Sequence, residues 1–301
     1  MRVAFLGLGA MGAPLAGHLA RHYETWVWNR TPSKAESHAQ QYGTRAVSFE
    51  ELGEAQVLLT CLPTSVDVDA IARQLLSSLR PGTLWIDHTS GEPELARATA
   101  RLLAERGVDY LDAPLSGGVA GAQQGRVTVM VGGAPEVVER ARPILQVYAA
   151  HLFHVGPLGS GHAVKAINNA LLAANLWLLG EGLLALVGQG IDPLRALQAI
   201  NVSSGRSNAS ENLFPERVLN RSFPLTFTLG LLDKDVRIAR SVTQRSGTPA
   251  PVLGLIQEFY TLASRELGRE VDHSAVVQLL ERWAGREIRG SFEDPSEGSR
   301  G

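Results

Sequence analysis

Apolar residues in the first half of the chain fall into short runs, Val3–Leu6, Trp26–Trp28, Val57–Thr60, Leu84–Ile86, Val108–Leu111 and Val127–Val131. Stretches with helical spacing separate them. Short β-branched and aromatic runs bounded by turn signals predict buried strands, and their alternation with helices predicts a parallel sheet covered on both faces. After Gly161 the pattern changes to leucine- and alanine-rich helical periodicity, which continues to about Arg289. Loop signals interrupt it at Gly190-Ile191-Asp192-Pro193, Ser203-Ser204-Gly205, Phe223-Pro224 and Gly247-Thr248-Pro249. The pattern predicts an α/β fold with a doubly wound parallel sheet, then an all-α domain whose first, long helix joins the two. The expected boundaries are residues 1–158 for the sheet domain, 159–289 for the helical domain and 290–301 for a disordered tail rich in Gly, Ser, Glu and Pro.

Composition narrows the function classes. With 301 residues, 45% hydrophobic, 19% charged and a net charge of -2, the chain is an ordinary globular protein without the basic character that nucleic acid demands. The single cysteine, Cys61, rules out an internal disulfide framework and points to the cytoplasm. Arg2 and the apolar run after it are interrupted by Gly7, Gly9 and Gly12, so a signal peptide is not expected. The apolar stretch Ala170–Val187 carries Asn175 and Glu181 and reads as a buried helix, with no membrane partner. No metal-ligand cluster stands out, and the eight histidines read mostly as surface or capping residues.

Gly7-Leu8-Gly9-Ala10-Met11-Gly12 follows the first strand and opens a helix. That context is what a dinucleotide fingerprint requires: a tight turn at Gly7, close pyrophosphate approach at Gly9 and close helix packing at Gly12. The sheet domain is therefore expected to be of the Rossmann type. At the end of the second strand, where an acidic residue would bind the adenosine ribose of NAD, the chain reads Asn29-Arg30-Thr31. Loss of the carboxylate, an arginine fork and a hydroxyl donor favour the 2′-phosphate of NADP(H), with NAD(H) the alternative. Leu62, Pro63 and Thr89 lie at carboxyl ends of strands, as walls for the ribose and nicotinamide. Cys61 reads as a small buried apolar residue.

Two further segments carry the chemistry. In Gly159-Ser160-Gly161-His162-Ala163-Val164-Lys165-Ala166-Ile167-Asn168-Asn169, Lys165 and Asn169 are four residues apart and share a helical face in apolar surroundings. A lysine there either extends its ammonium to solvent or acts in proton transfer with a depressed pKa. Asp112-Ala113-Pro114-Leu115-Ser116-Gly117-Gly118 offers the Ser116 hydroxyl and the Gly117 and Gly118 backbone N–H groups, suited to a small carboxylate or simply a surface turn. Lys234 stands between Asp233 and Asp235, a salt-bridged residue or one that reaches cofactor or substrate.

Taken together with Thr128-Val129-Met130-Val131-Gly132-Gly133 and Lys234-Asp235, these ordered motifs resemble the β-hydroxyacid dehydrogenases, most closely the 3-hydroxyisobutyrate dehydrogenase branch. The resemblance covers nearly the whole chain, to Asp272-His273-Ser274-Ala275. It implies Lys165 as the catalytic lysine, Asn169 as the substrate-orienting asparagine, Ser116, Gly117 and Gly118 as the substrate anchor, and Lys234 as a lysine for cofactor and substrate. Leu115 stands where the family usually has valine, Asn29-Arg30-Thr31 looks like the NADP-preferring reductase branch, and Ser203-Ser204-Gly205-Arg206-Ser207 looks like the hydroxyisobutyrate branch.

The expected reaction is hydride transfer between NAD(P) and a short 3-hydroxy acid, with Lys165 as general acid and base. Its pKa would then fall from about 10.4 toward roughly 7–8. Two alternatives are reduction of a small aldehyde acid such as tartronate or succinate semialdehyde, and a catalytically silent NADP-binding protein. Imine reduction fits poorly with a retained lysine. The expected partners are a small carboxylic acid substrate and a second or further copies of the chain, as a homodimer or homotetramer.

Overall fold

A computed structural model describes residues 1–290, so the expected tail lies, after Gly290, outside the described residues. The chain divides into two units, Met1–Ile167 and Asn168 onward. In the first unit β1 (Arg2–Leu6), α1 (Gly12–Leu19), β2 (Glu24–Trp28), α2 (Pro32–Tyr42), β3 (Arg45–Ala46), β4 (Val57–Thr60), α3 (Ser65–Leu75), β5 (Leu84–Asp87), α4 (Pro93–Ala104) and β6 (Asp109–Asp112) alternate. They are followed by β7 (Leu115–Ser116), α5 (Gly118–Gln124), β8 (Val127–Gly132), α6 (Pro135–Leu145) and β9 (Ala149–Gly156). The sheet order is β3-β2-β1-β4-β5-β6-β8-β7, with β9 paired to β8. Neighbours from β3 to β6 are parallel, whereas β8 runs antiparallel to β6 and β7.

Alternation of side chains across each strand builds two cores. Val3, Phe5, Leu59 and Ile86 face one cluster, while Ala4, Leu6, Leu58 and Trp85 face the other. Being buried on both faces, these strands read as continuous apolar runs. The reversal at β6 brings the carboxyl end of that strand beside Gly132 of β8, so the sheet continues past the nucleotide-binding strands with a change of direction.

The long helix α7 (Ser160–Gly188) begins in the first unit and ends in the second. Its length and apolarity would suffice to cross a membrane. It instead buries Leu176, Trp177, Leu183 and Leu184 in the second unit's core, where Trp177 stacks flat on Phe259 at 4.5 Å. The second unit continues with α8 (Pro193–Asn201), a π-helical segment (Ala209–Leu219), α9 (Leu229–Arg245), α10 (Pro251–Leu267), a 3-10 turn (His273–Ala275) and α11 (Val276–Ala284). The expected loops fall between these helices.

Candidate active site

The glycine loop has the geometry its sequence demands. Gly7 adopts φ +98, and a Cβ there would meet the Cys61 carbonyl at 2.4 Å. A Cβ on Gly12 would lie 2.0 Å from the Gly7 carbonyl oxygen, so α1 packs directly on the turn. Around Gly9 a Cβ would meet nothing within 4 Å, and Gly9 and Ala10 are exposed. The loop thus combines two steric requirements with one open face at a helix start, which fits a dinucleotide pyrophosphate. Asn29 shapes this loop from β2: its Oδ1 accepts from the Leu8 N–H at 3.0 Å and its Nδ2 donates to the Thr31 carbonyl at 3.2 Å. Arg30 and Thr31 are exposed, and the Thr31 hydroxyl makes no cap to α2.

Strand ends β4 and β5 adjoin the loop. The Thr89 hydroxyl accepts from the Leu62 N–H at 3.1 Å, and a Cβ on Gly7 would also touch Leu62. Leu62 and Thr89 therefore come together beside the glycine turn, with Pro63 exposed next to them. Behind Thr89 lies the fully buried Asp87. Its Oδ1 accepts from the Thr60 hydroxyl at 2.8 Å and the Thr89 N–H at 3.0 Å, and its Oδ2 accepts from the Tyr110 hydroxyl at 2.8 Å. The His162 Nε2 faces the same Oδ2 at 3.5 Å. Burial works to raise the Asp87 pKa, yet the His162 hydrogen bond and charge and the Thr89 contacts outweigh it, and the pKa lies below the ordinary value.

Asp112, the register partner of Asp87 on β6, ties the Asp112–Gly118 segment to α7. Its Oδ1 accepts from the Gly159 N–H at 2.7 Å and its Oδ2 from the His162 N–H at 2.8 Å. Those N–H groups have no partner inside the helix, and a carboxylate there also suits the helix dipole. Burial raises the Asp112 pKa, against the charge of His162 and the two backbone bonds. Ser116 is half-buried on β7, and Gly117 (φ +127) and Gly118 (φ +62) are exposed at the start of α5, conformations that glycine adopts freely. Lys165 lies one turn beyond His162 and is 9% exposed.

Four of the eight histidines, His38, His88, His162 and His273, are buried, which corrects the expectation of mostly surface or capping roles. Each has a polar partner that the sequence does not reveal. The Ala113 carbonyl can only accept, so His88 Nδ1 donates to it at 2.6 Å, and Nε2 then accepts from the Tyr148 hydroxyl at 2.7 Å. Burial pushes the His88 pKa down to about 4, in keeping with that neutral tautomer. Cys61 is partly buried, where the sequence predicts a buried residue; desolvation, reinforced by the Asp87 charge, pushes its thiol up to about 12, which leaves almost no thiolate at neutral pH.

In the second unit, Asn169 Nδ2 donates to Asp235 Oδ2 at 2.6 Å, and Asn169 Oδ1 accepts from Asn168 Nδ2 at 3.1 Å. Lys234 pairs with Asp235 at 3.1 Å. Asp235 thus brings Asn169 and Lys234 together, a role that the sequence motif alone does not assign. Asp233 turns instead to Arg237 and Arg269. Among the described residues no cluster of His, Cys, Asp or Glu is arranged to hold a metal ion.

Comparison with known proteins agrees with both units. Residues 2–156 match the family described as the NAD binding domain of 6-phosphogluconate dehydrogenase, and residues 159–280 the family described as NAD-binding of NADP-dependent 3-hydroxyisobutyrate dehydrogenase. The chain is 32% identical over 296 residues to 2-(hydroxymethyl)glutarate dehydrogenase of Eubacterium barkeri, covering 96% of this chain and 98% of that one. It is likewise 32% identical over 296 residues to 2-hydroxy-3-oxopropionate reductase of Escherichia coli, covering 96% and 100%. A solved structure of Mycobacterium tuberculosis 3-hydroxyisobutyrate dehydrogenase with L-serine is similar at a TM-score of 0.86 and 30% identity, covering 93% of this chain and 98% of that one.

Proposed function

The chain belongs to the NAD(P)-dependent 3-hydroxyacid dehydrogenase family, oxidoreductases acting on a CH–OH group, and on that premise we propose that it interconverts a short 3-hydroxy acid and its aldehyde or ketone acid. Lys165 is the general acid and base. The nicotinamide supplies the hydride chemistry when bound, and the protein supplies position and proton control. In oxidation the Lys165 Nζ accepts the hydroxyl proton, and in reduction it returns it. Asn169 keeps one amide N–H beyond its bond to Asp235 for orienting the substrate oxygen. Ser116, Gly117 and Gly118 hold the carboxylate, and Lys234 adds a positive charge for cofactor and substrate.

The observation that carries this reading is the use of lysine. The chain has three lysines, Lys34, Lys165 and Lys234, against 25 arginines. Arginine stays charged at any working pH, whereas a lysine amine can shuttle a proton. A lysine that is nearly buried in so arginine-rich a chain supports a task that arginine cannot perform. Turnover of 3-hydroxyisobutyrate, 3-hydroxypropionate, L-serine and glycerate, and of their oxidised partners, with both cofactors identifies the substrate. Lys165→Ala is expected to lower turnover by at least about 100-fold, the scale of general acid–base catalysis. Near-normal turnover of that variant removes the role.

The 2-hydroxy-3-oxopropionate reductase relative supports a second reading, reduction of a small aldehyde acid as the working direction. The same panel, run with reduced cofactor, separates the two. For the cofactor we favour NADP(H), because residues 29–31 present no carboxylate and leave Arg30 and the Thr31 hydroxyl exposed. We further propose a homodimer or homotetramer, since α7 exposes Leu171 at 60% and Leu178 at 68%, with Gly182 and Ala185 on the same stripe. A cytoplasmic setting suits the lone thiol of Cys61.

A further inference from the structure

Asp112 hydrogen-bonds the start of α7 through two backbone N–H groups, which fixes where the helix begins, and its charge also acts on the His162 imidazole. A second attachment is needed to fix its rotation. The buried imidazole of His162 supplies it from one strand over, with Nε2 facing Asp87 Oδ2 at 3.5 Å. Lys165 follows three residues later, about 4.5 Å along the axis and about 60° around it, so any rotation of the first turn is carried to its side chain. The imidazole is closely enclosed, since a Cβ on Gly91 would approach its Nε2 to 3.0 Å. Through Asp87 the same contact reaches Thr89, whose N–H shares that carboxylate.

We propose that His162 is a positioning residue, which through Asp87 sets the direction of Lys165 and registers it with the Thr89 turn. This rests on Lys165 as the proton-transfer group. His162 is 1% exposed, so it acts through Lys165 and not by contact with substrate. Two neutral amides distinguish reach from mere packing. His162→Gln places an N–H near the imidazole Nε2, while His162→Asn is one methylene shorter and falls short of Asp87.

The test measures kcat and KM for L-serine and 3-hydroxyisobutyrate with NADP+ in both variants of the full chain. A misplacement near 1 Å costs on the order of 100-fold in rate. His162→Asn is therefore expected to lose about 10- to 100-fold in kcat with KM for NADP+ unchanged, and His162→Gln to stay within about threefold of wild type. In parallel, reductive methylation with formaldehyde is read by mass spectrometry. With three lysines in the chain, Lys165 is measured against Lys34 without any substrate. The relative rate at Lys165 should change at least about threefold in His162→Asn and return in His162→Gln, in keeping with the rate effect above. Equal impairment of the two variants, or kcat and labelling both unchanged in His162→Asn, overturns the proposal. If Lys165→Ala retains turnover, the functional reading fails by itself, and the labelling still decides whether His162 positions Lys165.

Discussion

Gly9→Ala separates ligand binding from folding within the glycine loop. A methyl group there meets no protein atom within 4 Å, and Gly9 is absent from the glycines with positive φ. Folding stability should therefore hold or rise by about 0.4–1 kcal/mol, because alanine restricts the unfolded chain. Cofactor binding should suffer, since the methyl occupies the space that the pyrophosphate needs. Overpacking costs about 1–3 kcal/mol, which corresponds to a Kd roughly 5- to 150-fold weaker. Gly12→Ala is the counterpart: its Cβ falls 2.0 Å from a backbone oxygen that cannot step aside. About 3 kcal/mol or more of stability should be lost there, a fall of about 6–12 °C in Tm for a domain of this size. NADPH fluorescence titration and thermal unfolding of both variants are the assays. NADPH binding by Gly9→Ala at wild-type affinity would refute the assignment of this loop to the cofactor.

Arg30→Ala should weaken NADPH at least about 10-fold while leaving NADH nearly unchanged, in line with the loss of about one charge-assisted hydrogen bond; equal effects on both cofactors, by fluorescence titration, would argue against a 2′-phosphate contact. Leu178→Asp, on the exposed stripe of α7, should yield monomers by light scattering, and an unchanged assembly would exclude this face. His88 predicts an acid-side loss of stability, because its folded pKa of about 4 lies below the ordinary 6.5. Above pH 6.5 it is neutral whether folded or unfolded and contributes nothing. As pH falls toward 4 the unfolded chain binds a proton that the folded state refuses, costing up to roughly 3 kcal/mol. Buried His38, also shifted down by desolvation, acts in the same sense. Urea unfolding between pH 7 and 4 measures it, and a flat profile would contradict the buried neutral tautomer.

The strands β1, β2, β4 and β5 are legible because both of their faces are buried, which leaves largely apolar runs in the sequence, and β6 shows through Tyr110 and Leu111 between its two aspartates. The eight-residue β9 lacks that signature: exposed Ala150, His151, Phe153 and His154 leave neither a run nor a clean alternation. Two-residue strands such as β3 and β7 exist only through their partners. The π-helical segment Ala209–Leu219 contains Pro215, whose missing N–H reads locally as a helix breaker. Within the site, the glycine loop was readable because backbone sterics demand glycine at fixed spacing. Asp87, His88, His162 and Asp235 were not, since each depends on a partner at least 23 residues away in sequence.

Asn29 binds a donor with one atom and an acceptor with the other, Leu8 N–H and the Thr31 carbonyl. An aspartate in its place would keep the first bond but set a carboxylate oxygen against the Thr31 carbonyl, two acceptors about 3.2 Å apart. Because the contact is solvent-exposed, water can satisfy both oxygens, and the loss is that of one hydrogen bond, ~0.5–1.5 kcal/mol. The side chain at residue 29 therefore bears on loop geometry as well as on the proposed cofactor preference. A lineage moving toward an acidic, NAD-type residue at this position must turn the residue-31 carbonyl away or hydrate it, so the change at residue 29 is felt in the backbone that follows β2.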